Sequence, residues 1–303
     1  MAYEKTIKYS AIVLLILIIA YLSYSLITGY YRGKIETAKK QEQAALQEKS
    51  QNLEREVANL EEEINELKGK ENTREWLEEI FGKGASRLSL EQKNLTYDEI
   101  EQLVMAFFAY IDERGYVKKN KLTGSACDQY LAMENDLSAN VPITSGETEN
   151  LYNLLQNTAH FFRVLGKERV YLVKDVLTEE SDIIEFGMKL FYVWYTYEND
   201  NGIRMKEQPS LEVMYDYAAF FMNSLGGKSY LLRRDSGVRI LTGFYSVLII
   251  DSANDNKLNT NGIDIRPFIK TTCDDMTDYM GLFDKREYLG VLEKLKIKYN
   301  ISD

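Results

Sequence analysis

An uncharged, mostly apolar run from Ala11 to Ile27 is followed by leucines at strict seven-residue spacing, Leu46, Leu53, Leu60 and Leu67. The run, bracketed by Ile7, Tyr30 and Tyr31, is about long enough to cross a hydrocarbon core of ~30 Å and predicts a transmembrane helix. Tyr21, Tyr24, Tyr30 and Tyr31 supply anchors toward one interface. A cleavable signal peptide is the competing reading, but no A-x-A site follows the run. Arg32, Lys34, Lys39 and Lys40 outnumber Lys5 and Lys8, which favours a cytoplasmic carboxyl side. Against this, a very short leading tail usually stays inside and large domains translocate largely regardless of charge. The expected arrangement is a single-pass anchor with the N-terminus cytoplasmic and the bulk extracytoplasmic.

With the four leucines at d, the a positions are Gln43, Ser50, Val57 and Ile64. Leucine at d with β-branched residues at a favours a parallel dimer, so Leu46, Leu53, Val57, Leu60, Ile64 and Leu67 form the expected coiled-coil seam of a homodimer. The alternative is a lone amphipathic helix packed on its own domain, since only two a positions are apolar. Membrane tethering favours pairing by raising the local concentration. Asn72 with Glu75 then opens a short helix through Trp76 to Phe81, which Gly82 and Gly84 close.

Beyond Leu95 the pattern turns to helical hairpins that echo one another. From anchors at Phe107, Phe162, Phe221 and Tyr279, a basic residue stands seven positions on, at Arg114, Arg169, Lys228 and Arg286. A tyrosine follows two residues later, at Tyr116, Tyr171, Tyr230 and Tyr288. Helix starts are marked by the Thr96 to Glu99 capping box, Ser145, Pro209 and Asp264, and partner helices are expected over 125–136, 179–198, 237–250 and 287–299. The predicted class is all-α: a transmembrane anchor with its flanks (1–33), a parallel coiled-coil stalk (34–71), a short helix and linker (72–94) and a quasi-repeated helical-hairpin domain of about eight helices (95–303), as a short α-solenoid or a bundle. The four basic residues have an ordinary role in capping helix ends, and a functional one as partner-binding candidates on a shared face.

Composition narrows the function. A net charge of -10 with no basic stripe beyond the juxtamembrane region argues against a duplex nucleic-acid partner. Cys127 and Cys273 are far apart and outside any CxxC spacing, so free thiols are expected. Proline is scarce, with 3, and tyrosine abundant, with 22, which suits long helices joined by amphipathic aromatic contacts.

Chemical motifs fade on inspection. Gly227-Lys228-Ser229 resembles the end of a phosphate-binding loop, but Met222 stands where the first glycine belongs and a helical pattern precedes it. His160 is the single histidine, which excludes a histidine metal cluster, and no G-x-S-x-G elbow accompanies it. Asp274, Asp275 and Asp278 read as a solvated face. Asp251, Asp255 and Asn259 fall at positions 1, 5 and 9 of a calcium loop, with Asn256 suited to the left-handed turn, Lys257 offering a carbonyl and Asp264 replacing the missing bidentate acid. Ala253 and Gly262 depart from that pattern. No other cofactor is expected.

The expected function is a membrane-anchored scaffold or adaptor that binds an unidentified protein partner through its helical domain. The alternatives are a carboxylate-dependent hydrolase acting on cell-wall glycan and a calcium-responsive module.

Overall fold

The computed structural model describes residue 49 and residues 73–91, 94–143, 151–223 and 236–301. All but Lys49 belong to one compact unit, Gly69–Asp303. The apolar run Ala11 to Ile27, the remaining coiled-coil positions, Ser145, Lys228 and Tyr230 lie outside the described residues. Among the described residues no helix is long and apolar enough to cross a membrane.

The domain is helical throughout. In chain order it comprises α1 (residues 73–81), a 3-10 turn (Ala85–Arg87), α2 (Tyr97–Glu113), α3 (Tyr116–Lys119), α4 (Ala126–Ala139), α5 (Leu151–Thr158) and α6 (His160–Glu179). There follow α7 (Ser181–Thr196), α8 (Leu211–Asn223), α9 (Ser236–Asp255), α10 (Arg266–Asp278) and α11 (Lys285–Lys298). Only an isolated bridge between Glu198 and Arg204 is extended pairing among the described residues. The partner helices read from sequence are α4, α7, α9 and α11. Within 95–303 the excess over eight comes from the single turn α3 and from a break at Ala159 that separates α5 from α6, while α1 is the short helix expected before that range. Gly166, at φ 76° and ψ 170°, then kinks α6.

Local chemistry accounts for the helix ends. The Thr96 backbone N–H donates to Glu99 Oε2 at 2.8 Å while the Glu99 N–H donates to Thr96 Oγ1 at 3.3 Å, closing the expected capping box. Ser125 and Asp128 repeat the device at the start of α4, at 2.8 and 3.1 Å. Three stops are Schellman motifs with a left-handed residue other than glycine, at Lys121, Lys257 and Asn300. In each, the following N–H reaches back five residues: Leu122 to Val117, Leu258 to Ala253 and Ile301 to Lys296. Sequence alone places the left-handed turn of the 251–264 segment at Asn256; the structure moves it to Lys257 because the segment begins as the end of a helix.

Two hydrophobic cores share α7. One gathers α1, α2 and α4 around an aromatic stack in which Phe81 lies 4.8 Å from Phe186 and Phe107 lies 5.4 Å edge-on from Phe191. The other joins α8 to α11 around Phe244 and Tyr288, 4.9 Å apart. Ile183, Phe186, Leu190 and Val193 turn to the first core, while Met188 and Tyr192 pack on the second. A helix apolar on nearly every side must be buried on nearly every side.

Candidate functional site

The helix that joins the cores also carries charge. Glu185 and Lys189, one turn apart on α7, are buried. The Lys189 ammonium contacts Asp284 and lies 2.6 Å from Glu287 Oε2, with the Tyr288 ring centroid 5.2 Å away. The Glu185 carboxylate accepts the backbone N–H groups of Phe283 and Asp284, both at 2.9 Å, and so holds the entry to α11. The other Glu287 oxygen accepts the Leu90 N–H at 2.7 Å. Burial pushes the Glu185 carboxyl up to about 7, and the Asp284 charge adds to this against the two N–H donors and Lys189. Sequence reasoning missed this cluster. Its signal was there: an acid and a base at i and i+4 inside an otherwise apolar helix, where charge survives only when paired.

Glu185 also borders a polar cavity of about 510 Å³. Asp182, one turn earlier on α7, shares its wall with Trp76 and Tyr279. This places two carboxylates and two aromatic rings around one opening, an arrangement suited to a hydroxyl-rich ligand.

The repeated basic residues do not share a surroundings. Arg114 stacks on the Tyr110 ring at 4.5 Å and pairs with buried Glu180 at 3.4 Å, and Glu180 also accepts the Tyr110 and Tyr116 hydroxyls. Arg169 reaches from α6 to α4, donating to Asp136 at 2.6 Å and Gln129 at 3.1 Å. Both are engaged in joining helices, the ordinary role of the repeat position. Arg286 sits in the exposed first turn of α11. The anchors differ as well: Phe107 is buried, Phe162 is 44% exposed, and Tyr279 caps the end of α10.

The calcium-loop residues are dispersed. Asp251 and Asp255 lie on the last turns of α9, and Lys298 donates to each at 2.8 Å, with the Tyr299 hydroxyl on Asp251 at 2.7 Å. Asn259 accepts the Tyr215 hydroxyl and the Ile263 N–H at 2.8 Å each and donates to Asn254 at 2.7 Å, so it stitches its own turn. Lys257 is the left-handed residue of the helix stop, and Asp264 pairs with Arg266 at 2.8 Å. Among the described residues no group of three His, Cys, Asp or Glu side chains is placed to hold a metal ion.

His160 is fully buried at the start of α6. Its Nε2 lies 2.9 Å from the Tyr217 hydroxyl and its Nδ1 accepts from Arg163 at 3.2 Å, while Tyr217 donates on to the Leu137 carbonyl. Burial first, then the Arg163 charge, lowers its pKa to about 4, so the ring is neutral and structural. Cys127 and Cys273 are free thiols, with Cys273 buried.

Between the two cores lies an apolar hollow of two overlapping lobes, about 390 and about 490 Å³. Met133, Val173, Met188, Tyr195, Met214 and Tyr245 border both lobes. Polar groups are few at this wall: Tyr130 and Tyr195 share a hydrogen bond, Tyr195 donates to Glu134 at 3.1 Å, and Glu134 pairs with Lys206 at 3.3 Å.

Several large apolar side chains are exposed between α4 and α6: Leu131 on α4, Val141 and Ile143 in the segment that follows it, Leu155 on α5 and Phe162 at the start of α6 are each 37% to 60% exposed. The Asn157 side chain draws the 141–143 segment against α5 by accepting the Ile143 N–H at 3.1 Å and donating to its carbonyl at 2.7 Å. Compared with protein-family models, curated proteins and solved structures, the chain matches none of them.

Proposed function

We propose that this protein is a membrane-anchored adaptor whose dimeric coiled-coil stalk carries a helical domain that binds another protein. The observation that carries the reading is the exposure of five large apolar side chains within residues 131–162, namely Leu131, Val141, Ile143, Leu155 and Phe162. Soluble surfaces seldom group large apolar side chains, and rigid aromatic and aliphatic anchors dominate protein interfaces. Arg114 and Arg169 already pair within the domain, which supports placing the binding face on this stretch. The test is site-specific photocrosslinking of the full-length protein in its own membrane from positions 155 and 162, with and without Leu155→Glu and Phe162→Glu. A discrete heterologous adduct at both positions, reduced at least about tenfold by either charge, supports the adaptor. Adducts only to the protein itself, or adducts indifferent to both charges, overturn it.

A second reading is favoured by one observation, the polar cavity bordered by Asp182 and Glu185. Glu185, raised to about 7, has the acidity of a general acid for glycoside cleavage, and Asp182 is the second carboxylate such chemistry requires. Trp76 and Tyr279 would stack on sugar rings. Turnover of cell-wall glycan by the full-length protein, abolished in both Glu185→Gln and Asp182→Asn, would establish the hydrolase in place of the adaptor.

A further inference from the structure

We infer that Asn201-Gly202, at the tip of the small hairpin between α7 and α8, is a site of self-modification that converts Asn201 to aspartate and isoaspartate, and that Asn199 gates it. The chain holds two Asn-Gly pairs, Asn201-Gly202 and Asn261-Gly262. Asparagine is thermolabile, and a following glycine, having no Cβ, leaves its nitrogen open to the asparagine side chain. The Gly202 nitrogen attacks Asn201 Cγ: the N–Cγ bond forms, the Cγ–Nδ2 bond breaks, and Nδ2 leaves as ammonia with the Gly202 amide proton. Water then opens the cyclic imide. Addition at Cγ gives aspartate, and addition at the Asn201 backbone carbonyl carbon leaves Gly202 joined through Cγ, which is isoaspartate.

The hairpin tip suits this reaction. Asp200, Asn201, Gly202 and Ile203 are all exposed, and among the described residues no group holds the Asn201 side-chain amide. The nucleophile is restrained by one residue. The Gly202 N–H donates to the Asn199 carbonyl at 2.9 Å, and Asn199 Oδ1 accepts the Asn201 and Ile203 N–H groups, both at 3.0 Å, folding the tip into an Asx turn. The Gly202 nitrogen reacts only when this turn opens, and a tip on which so little packs opens locally at small cost. The second pair shares the sequence but not the hold. Its Gly262 N–H donates to the Asn259 carbonyl at 3.2 Å, and the Asn261 N–H also donates to the hydroxyl of buried Tyr215 at 3.1 Å. Asn259 further clamps buried Ile263 through its N–H and carbonyl, at 2.8 and 2.9 Å. Opening that turn means pulling it off the second core.

The experiment incubates purified full-length protein in detergent at mildly alkaline pH, follows ammonia release, and maps aspartate and isoaspartate at both pairs by electron-transfer fragmentation of proteolytic peptides. The expected result is conversion at Asn201 at least about tenfold faster than at Asn261, with both products at Asn201, the mark of the imide. Asn199→Ala, which removes the two side-chain hydrogen bonds of the turn, should speed Asn201 about tenfold and leave Asn261 unchanged. Asn199→Asp, which keeps an acceptor oxygen in place, should stay within about twofold of the parent. Asn261 in the same molecule is the reference for folding, so acceleration at both pairs in Asn199→Ala would report global opening and overturn the gate. Conversion at Asn261 as fast as at Asn201, aspartate as the sole product at Asn201, or an Asn201 rate indifferent to Asn199→Ala would each overturn the inference as well.

Discussion

The Lys189 ammonium stands 2.6 Å from a Glu287 carboxylate oxygen across 98 residues of chain, and its side chain is 2% exposed. This one contact ties the helix shared by both cores to the last helix of the domain. A buried ion pair adds little over a well-packed apolar pair, but breaking it strands charge. Lys189→Met is therefore expected to cost about 3–5 kcal/mol in urea unfolding, and adding Asp284→Asn and Glu287→Gln to it should recover part of the loss. A cost for Lys189→Met below about 1 kcal/mol would show that the pair is incidental.

Glu185 and His160 set opposing pH responses. Glu185 is raised from 4.5 to about 7, so the folded protein keeps a proton that the unfolded chain releases, and this group's contribution falls as pH rises through that window. His160 is lowered from 6.5 to about 4, so the folded protein refuses a proton that the unfolded chain takes up, and its contribution falls as pH drops through that window. Each slope approaches ~1.4 kcal/mol per pH unit, and over the shared interval the two oppose each other. Relative to the parent protein, Glu185→Gln should gain stability as pH rises from about 5 to 7, whereas His160→Gln should lose it from about 4 to 6. Parallel urea series at several pH values measure both; difference slopes of the same sign would refute the assignment.

Two helical glycines should respond oppositely to alanine. A Cβ at Gly187 would stand 2.8 Å from the Phe107 ring, which is wedged among Phe81, Phe108 and Phe191, so Gly187→Ala is expected to destabilise by about 1–3 kcal/mol. At Gly290, on α11, a Cβ would meet nothing within 4 Å, and Gly290→Ala should stabilise by about 0.5–1 kcal/mol. Thermal melts distinguish the two by sign.

Calcium is expected to leave the melting temperature unchanged, because the Lys298 ammonium already lies between Asp251 and Asp255. A saturable rise in Tm with calcium that disappears in Asp255→Asn would restore the calcium loop.

What could be read locally was read well. Thr96 with Glu99, Ser125 at the start of α4, and the partner helices α7, α9 and α11 all follow from neighbours within a turn or so. The surroundings of the calcium pattern were not legible locally: Asp251, Asp255 and Asn259 have suitable spacing, but Lys298 reaches the two aspartates from 47 and 43 residues away. Arg114 and Arg169 matched in sequence while their partners, Glu180 and Asp136, came from different elements.

The chain's own order of residues decides its all-helical class and the ends of most helices, because caps, left-handed stops and apolar periodicity act over four or five residues. It decides too that Ala11 to Ile27 carries no charge and is mostly apolar, and that the leucine seam keeps a heptad. Only the tertiary structure decides that Glu185 and Lys189 are buried, that His160 stays neutral and that an apolar hollow lies between the cores. Those properties depend on desolvation by side chains distant in sequence, and spacing along the chain carries no record of which helix will cover which.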